Sequence, residues 1–233
     1  MEHLFFDLDH TLWDFERCAT ETLEELYIEF RLHRFHFSLE EFQRSFKRIN
    51  ARLWDLYNRN QINKEYIQKE RFALVFEALQ VSRKEIPSTL QEEYSYRCPR
   101  KKYLQSHALD VLKSLYSHYK LHVITNGFEE VQRVKMESSG ILPYFDVVVT
   151  SQSIEGYKKP DPQIFYFALS RAKTTPQASW MIGDDLLADI LGAQNVGMNT
   201  IFYNPLRHKH NLRPSVEITS LREIKSLFLK NSC

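Results

Sequence analysis

The chain has 233 residues, a formal net charge of +1, and 16 Phe and 12 Tyr against only 6 Gly. Hydrophobic residues at 43% and charged residues at 26% exclude a disordered chain, and the near-neutral balance argues against a nucleic-acid polymer as partner. Cys18, Cys98 and Cys233 are odd in number, widely spaced and without a CxxC pair, and no apolar run approaches a membrane span. That excludes a disulfide framework, a thiolate zinc site and a membrane protein, and points to free thiols in a cytoplasmic setting.

The first predicted element is a strand. Leu4-Phe5-Phe6 reads as a segment covered on both faces, and it runs directly into Asp7, Asp9, His10 and Thr11. From about Trp13 to Tyr103 the pattern turns helical. Leu23, Leu26, Tyr27 and Phe30 recur at spacings of three and four, as do Phe42, Phe46 and Ile49, and then Phe72, Val75, Phe76 and Leu79. No Gly interrupts this stretch, which predicts an inserted all-α domain of about four helices over residues 15–103.

Beyond it, strand and helix alternate. "LHVITNG" (121–127) is a strand ending in a polar turn, "VQRVKMESSG" a helix closed by Gly140, and "YFDVVVTS" a third strand. "KKPDPQIFYFALSRA" opens a helix with Asp161 as N-cap and Pro162 at its first position. "ASWMIGDD" is a strand, "LLADILGAQNVG" a helix, "NTIFYN" a strand and "SLREIKSLFL" a closing amphipathic helix. The basic stretch "RHKHNLRP" (207–214) reads as a solvated loop. Such alternation predicts an α/β, Rossmann-like fold with a central parallel sheet, formed by residues 1–14 and 104–233.

If these strands are parallel, their polar ends meet at one sheet edge, where open α/β sheets bind ligands. Asp7, Asp9, Asp184, Asp185 and Asp189 then bring up to five carboxylates together, a repulsion that a cation must offset. Thiol-free oxygen ligands suit a hard metal, Mg²⁺. Lys159 adds compensating charge. Crowding of this kind predicts a raised pKa for Asp9.

In this order the motifs "DLDHT", "ITNG", "KKPDP" and "GDDLLAD" resemble those of the haloacid dehalogenase superfamily in its phosphatase majority, with the insert at the position of that family's helical cap. The resemblance implies Asp7 as nucleophile, Asp9 as general acid/base and, through its main-chain carbonyl, a metal ligand. It implies Thr125 as a phosphoryl hydrogen-bond donor, assisted by main-chain N–H groups of Leu8, Asn126 and Gly127. Lys159, the lysine touching Pro160 in the 158–159 pair, would bridge Asp7 and the phosphoryl oxygens. Asp184 would ligate Mg²⁺ beside Asp7, with Asp185 and Asp189 orienting its surroundings. An acid at Asp9 separates the phosphatases from the dehalogenases, whose leaving halide needs no proton.

The stretch "LWDLYNRNQINKEYIQKERF" (53–72) is similar to the corresponding part of bacterial pyrimidine 5′-nucleotidases. That implies a small-molecule phosphate ester, here a nucleoside 5′-monophosphate. A sugar-phosphate, phosphoglycolate or FMN phosphatase and a β-phosphoglucomutase-like phosphomutase fit the same motifs, and monomer and homodimer both stay open. A non-catalytic phospholigand-binding protein would lack the nucleophile, the acid or the lysine, and all three are present. For Trp54, Tyr57 and Phe72 helix packing competes with base stacking; Arg59 and Lys64 read as solvated, His10 as environment and Cys18 as a small buried residue.

Overall fold

The computed structural model describes residues 2–229; Cys233, read above as a free thiol, lies outside them. It divides into two compact units, Met1–Phe15 with Lys102–Cys233, and Glu16–Lys101. The first holds six parallel strands: β1 (His3–Phe6), β2 (Lys120–Ile124), β3 (Val147–Val149), β4 (Ser179–Gly183), β5 (Asn199–Tyr203) and β6 (Val216–Ile218). Their order is β3-β2-β1-β4-β5-β6, so the direction of winding reverses between β1 and β4. Ligands bind at such a switch point, outside the carboxyl ends of the strands.

Leu4, Phe5 and Phe6 are fully buried at the centre of this sheet. Each contributes roughly 1.5–3 kcal/mol by leaving water, so a strand of only four residues is firmly seated. Phe5, Ile124, Val149 and Met181 form a core with Ile164, Phe165 and Leu169 of a helix over Pro162–Ala172. Asp161 caps that helix by accepting from the Gln163 N–H, with Pro162 at its first position, as the sequence predicts.

Two elements depart from the sequence reading. β6 was not foreseen: three residues at a sheet edge, with Glu217 exposed between Val216 and Ile218, leave little periodicity to read. The stretch after β4 is not one regular helix but a π-helical turn, Leu186–Leu191, followed by Gly192–Asn195 in α conformation. Asp185 caps the wide turn through the N–H groups of Leu187 and Ala188, and the turn directs Asp189 inward. Such π-bulges recur at functional positions.

The second unit is built on α1 (Phe15–Glu29), α2 (Leu39–Asn58), α3 (Lys64–Ala78) and α4 (Leu90–Arg97). Ser38 and Glu41 close a capping box at the start of α2. α2 and α3 run antiparallel, with Phe42 on Phe76 and Phe46 on Phe72. Tyr57 and Phe72 are buried packing residues, Trp54 meets Tyr57 edge-on, Arg59 pairs with exposed Asp55, and Cys18 is fully buried. Among the described residues no helix is long and apolar enough to cross a membrane.

A histidine pair sits on the face of the sheet. His3 Nδ1 and His122 Nε2 are 2.9 Å apart, and the His122 ring lies 4.6 Å from that of Phe5. Burial first, and then the neighbouring His3, push His122 down to about 4. A group whose pKa falls on folding contributes stability that is complete above its ordinary value and is lost as pH drops toward the folded value. Wild type is therefore expected to lose about 1–2 kcal/mol between pH 7 and pH 5 relative to His122→Phe. Urea midpoints of the two proteins across that range check this; parallel profiles would refute it.

Candidate active site

Asp7 follows β1 directly, and its N–H donates to the Ile182 carbonyl of β4, which places it at the reversal of the sheet. Lys159 Nζ, 2% exposed, donates to Asp7 Oδ1 at 2.6 Å, to Asp189 Oδ1 at 2.6 Å and to the Ile124 carbonyl at 2.7 Å. All three ammonium protons are thereby committed. Lys159 is itself fixed by Asn126, whose side chain accepts from the Lys159 N–H and donates to the Lys159 carbonyl. Between the two adjacent lysines, it is Lys159 that reaches Asp7.

Asp184 lies close to Asp7, its Oδ1 accepting from the Thr11 hydroxyl at 2.7 Å. Oxygen atoms of Asp7, Asp184 and Asp189 lie within 4.8 Å of one another. Asp189 Oδ2 also accepts from the Asp185 N–H. A Cβ on Gly183 would stand 2.1 Å from that same oxygen, so only glycine lets β4 end this close to Asp189. One ammonium facing two buried carboxylates and the half-buried Asp184 leaves negative charge uncompensated. Burial foremost, reinforced by the neighbouring carboxylates against the pull of Lys159, lifts Asp7, Asp184 and Asp189 to about 7. For Lys159, burial works against the charge, but Asp189 and Asp7 outweigh it and raise its pKa.

Asp9 corrects the expectation drawn from crowding. Its carboxylate is gripped by Lys135 Nζ at 2.6 and 2.9 Å and by Gln132 Nε2 at 2.9 Å. Burial pushes its pKa up, but Lys135 and Gln132 outweigh that and hold it below the ordinary value. Lys135 is itself buried, with its ammonium 4.6 Å from the centre of the Trp13 ring. Gln132 also donates to Thr125 Oγ1 at 2.7 Å, and a Cβ on Gly127 would collide with it at 2.3 Å.

Gln132 and Lys135 were missed in the sequence. Both lie on the helix Glu129–Ser138, which follows the Thr125-Asn126-Gly127 turn. Their spacing of three, with helical side chains leaning toward the N-terminus, is the signal that points them at the strand ends.

The remaining predicted residues are also located. Thr125 is buried, and its hydroxyl accepts from the Gly127 N–H as well as from Gln132. Gly127 is held through its carbonyl by Ser151. Leu8 is fully buried, its carbonyl accepting from Leu12 and Trp13. Asp185 turns to the N–H groups of Leu187 and Ala188 rather than toward the cluster. His10 adopts a positive φ of 65° and packs on Phe15.

The model of the haloacid dehalogenase-like hydrolases matches residues 4–203, which include every residue of this constellation. The chain belongs to that family. It is 30% identical to the pyrimidine 5′-nucleotidase PynA of Streptococcus pneumoniae, over 98% of this chain and 95% of that protein. It is 29% identical to the pyrimidine 5′-nucleotidase YjjG of Escherichia coli, over 98% of each. A crystal structure of the putative HAD-hydrolase YfnB from Bacillus subtilis, bound to magnesium, superposes with a TM-score of 0.87 at 24% identity, covering 98% of each chain. The hydrolase therefore has the parallel α/β fold of its family.

Proposed function

We propose that this hydrolase is a cytoplasmic, Mg²⁺-dependent phosphomonoesterase that works through an aspartyl-phosphate and acts on pyrimidine nucleoside 5′-monophosphates. The observation that carries the chemistry is Asp7, held by Lys159 inside a triad of close-set carboxylates at the switch point of the sheet. Likeness to PynA and YjjG over nearly the whole chain supports the substrate class, for which the helical unit is the proposed source of selectivity.

The donor set fits a hard divalent cation. Asp189 has both oxygens engaged, by Lys159 and by the Asp185 N–H, whereas Asp7 accepts from Lys159 through Oδ1 and Asp184 from Thr11 through Oδ1. Asp7 and Asp184, with the Asp9 carbonyl, would hold the metal, and Asp189 would position Lys159. Bound there, Mg²⁺ supplies the positive charge that keeps Asp7 ionised near neutrality and offsets charge on the phosphoryl oxygens.

Asp7 attacks phosphorus in line. The new bond is between its carboxylate oxygen and phosphorus; the bond that breaks joins phosphorus to the ester oxygen. Lys159 and Thr125 stabilise charge on the transferring group. Asp9 gives the leaving oxygen its proton, then takes one from the water that attacks the aspartyl-phosphate at phosphorus. Held by Lys135, Asp9 is ionised and suited to the second, basic task; the first requires that it acquire a proton. Lys135→Met is therefore expected to move the alkaline limb of kcat/KM upward by about 1–2 pH units, since removing an opposing charge lets the carboxyl rise. An unmoved limb in a pH-rate profile would detach Lys135 from the acid step.

Inorganic phosphate release from UMP, dUMP, dTMP, purine nucleotides, FMN, phosphoglycolate and sugar phosphates, with and without EDTA, tests the whole reading. Metal-dependent release favouring pyrimidine nucleotides is expected. A sugar phosphate as the preferred ester keeps the mechanism and removes the nucleotidase assignment. Turnover dependent on a bisphosphate would instead identify a mutase.

A further inference from the structure

Gln132, on the helix Glu129–Ser138, is fully buried, and its amide nitrogen makes two bonds at once. Nε2 donates to Asp9 Oδ2 at 2.9 Å and to Thr125 Oγ1 at 2.7 Å. Its Oε1 has no hydrogen-bond partner among the described residues. A buried acceptor left unpaired costs stability, so a residue kept only to tie the structure together is expected to engage both ends of its amide. Here the nitrogen is used twice and the oxygen not at all. Room for the amide comes from Gly127, where a Cβ would stand 2.3 Å from Gln132 Nε2.

Asp9 dictates which way that amide faces. Its carboxylate already takes two bonds from the Lys135 ammonium, at 2.6 and 2.9 Å, and offers Gln132 only lone pairs. The amide must therefore present its nitrogen. Thr125 Oγ1 then receives one bond from Gln132 and a second from the Gly127 N–H at 3.1 Å. A hydroxyl has two acceptor positions and a single proton. With both acceptor positions filled, the proton is left to be given, and among the described residues no protein group takes it. Thr125 adjoins Ile124, whose carbonyl accepts from the same Lys159 ammonium that holds Asp7. The uncommitted donor is thus kept at the strand ends that carry the nucleophile.

We propose that Gln132 is a positioning residue: by filling an acceptor position of the Thr125 hydroxyl, it commits that hydroxyl's proton to the phosphoryl group transferred to Asp7. This rests on the phosphomonoesterase reading above. An amide oxygen in the same place would take the proton itself and cancel the donor. Asp9 therefore acts on Thr125 at one remove, since its carboxylate sets which end of the amide is turned to the hydroxyl.

A cycle of kcat values for Gln132→Met, Thr125→Val and the double variant, all in the full chain, tests this. The assay is hydrolysis of p-nitrophenyl phosphate, because nitrophenolate departs with little need of a proton from Asp9; the fastest ester of the panel above replaces it if wild type does not accept it. Thr125→Val is expected to lower kcat by about 100–1,000-fold, the cost of one donor to developing charge. Gln132→Met should lower it by about 10–100-fold with KM within about threefold, because the hydroxyl remains but is free to turn away as charge gathers on the phosphoryl oxygens. In the Thr125→Val background the same change should alter kcat by less than about threefold. The thermal midpoint of Gln132→Met should stay within about 4 °C of wild type, since two bonds are lost but an orphaned oxygen is removed with them. Gln132→Leu repeats the cycle should the methionine variant not fold.

Equal losses with and without the Thr125 hydroxyl would place the effect of Gln132 on Asp9 or on packing and overturn the proposal. A raised KM with kcat unchanged would overturn it as well. Wild-type turnover with additive losses defeats this role alone, whereas a wild type that releases phosphate from no ester defeats the phosphomonoesterase reading and this role with it.

Discussion

Asp7→Asn is expected to reduce phosphate release by at least about 1,000-fold while leaving the protein as stable as before or more so. The amide is nearly isosteric and cannot form the acyl-phosphate. Its neutrality relieves the cluster in which burial and neighbouring charge lift Asp7, Asp184 and Asp189 to about 7. Loss of activity with a retained or raised thermal midpoint is the signature of a group kept for chemistry at a cost in stability. Phosphate release on the preferred ester, beside a thermal melt without added metal, supplies both readings. Residual activity within tenfold of wild type would remove Asp7 from the role of nucleophile.

Lys159→Met should damage both activity and stability. The ammonium is 2% exposed and is the only ion-pair partner of Asp7 and Asp189 among the described residues. Breaking a buried charge network by removing one member costs about 3–5 kcal/mol. The loss has a defined pH dependence. The three carboxyls have raised pKa values, so the folded state tolerates them best when they are protonated, and their repulsion grows as pH rises through about 7. Without Lys159 the melting temperature should fall more at pH 8 than at pH 6.

Loss of the charge facing the phosphoryl group should also lower kcat by about 100–1,000-fold. Adding Asp189→Asn to Lys159→Met should restore much of the stability and none of the activity, because it lowers the repulsion without returning a cation. Equal destabilisation at both pH values would show that Lys159 acts by packing alone.

Much of this was legible in the chain itself. An apolar strand with both faces covered has no use for polar alternation, so Leu4-Phe5-Phe6 running into Asp7 reads as a central strand delivering a carboxylate to the sheet edge. The switch from helical to strand-helix periodicity beyond Tyr103 announces a parallel sheet, because only crossover helices join parallel strands. Caps are local, so Asp161 and Pro162 were readable as the start of a helix. In each case the cause lies within a few residues of its effect.

What only the tertiary structure decided are relations between residues far apart in sequence. Asp9 was expected to be an elevated acid because carboxylates surround it, but the charge nearest to it comes from Lys135, on a helix 126 residues away. Coulomb interaction falls with distance in space, not along the chain, so the sign of that shift was fixed by packing. The same holds for Asn126, whose side chain clamps the Lys159 backbone, and for Asp189, turned inward by a π-helical turn that no periodicity announces. The packing partners of Tyr57 and Phe72 likewise came only from the fold, which buries both. The sequence by itself determined which side chains the strands deliver to the sheet edge; the fold decided which groups hold each carboxylate, since that depends on distances that folding alone creates.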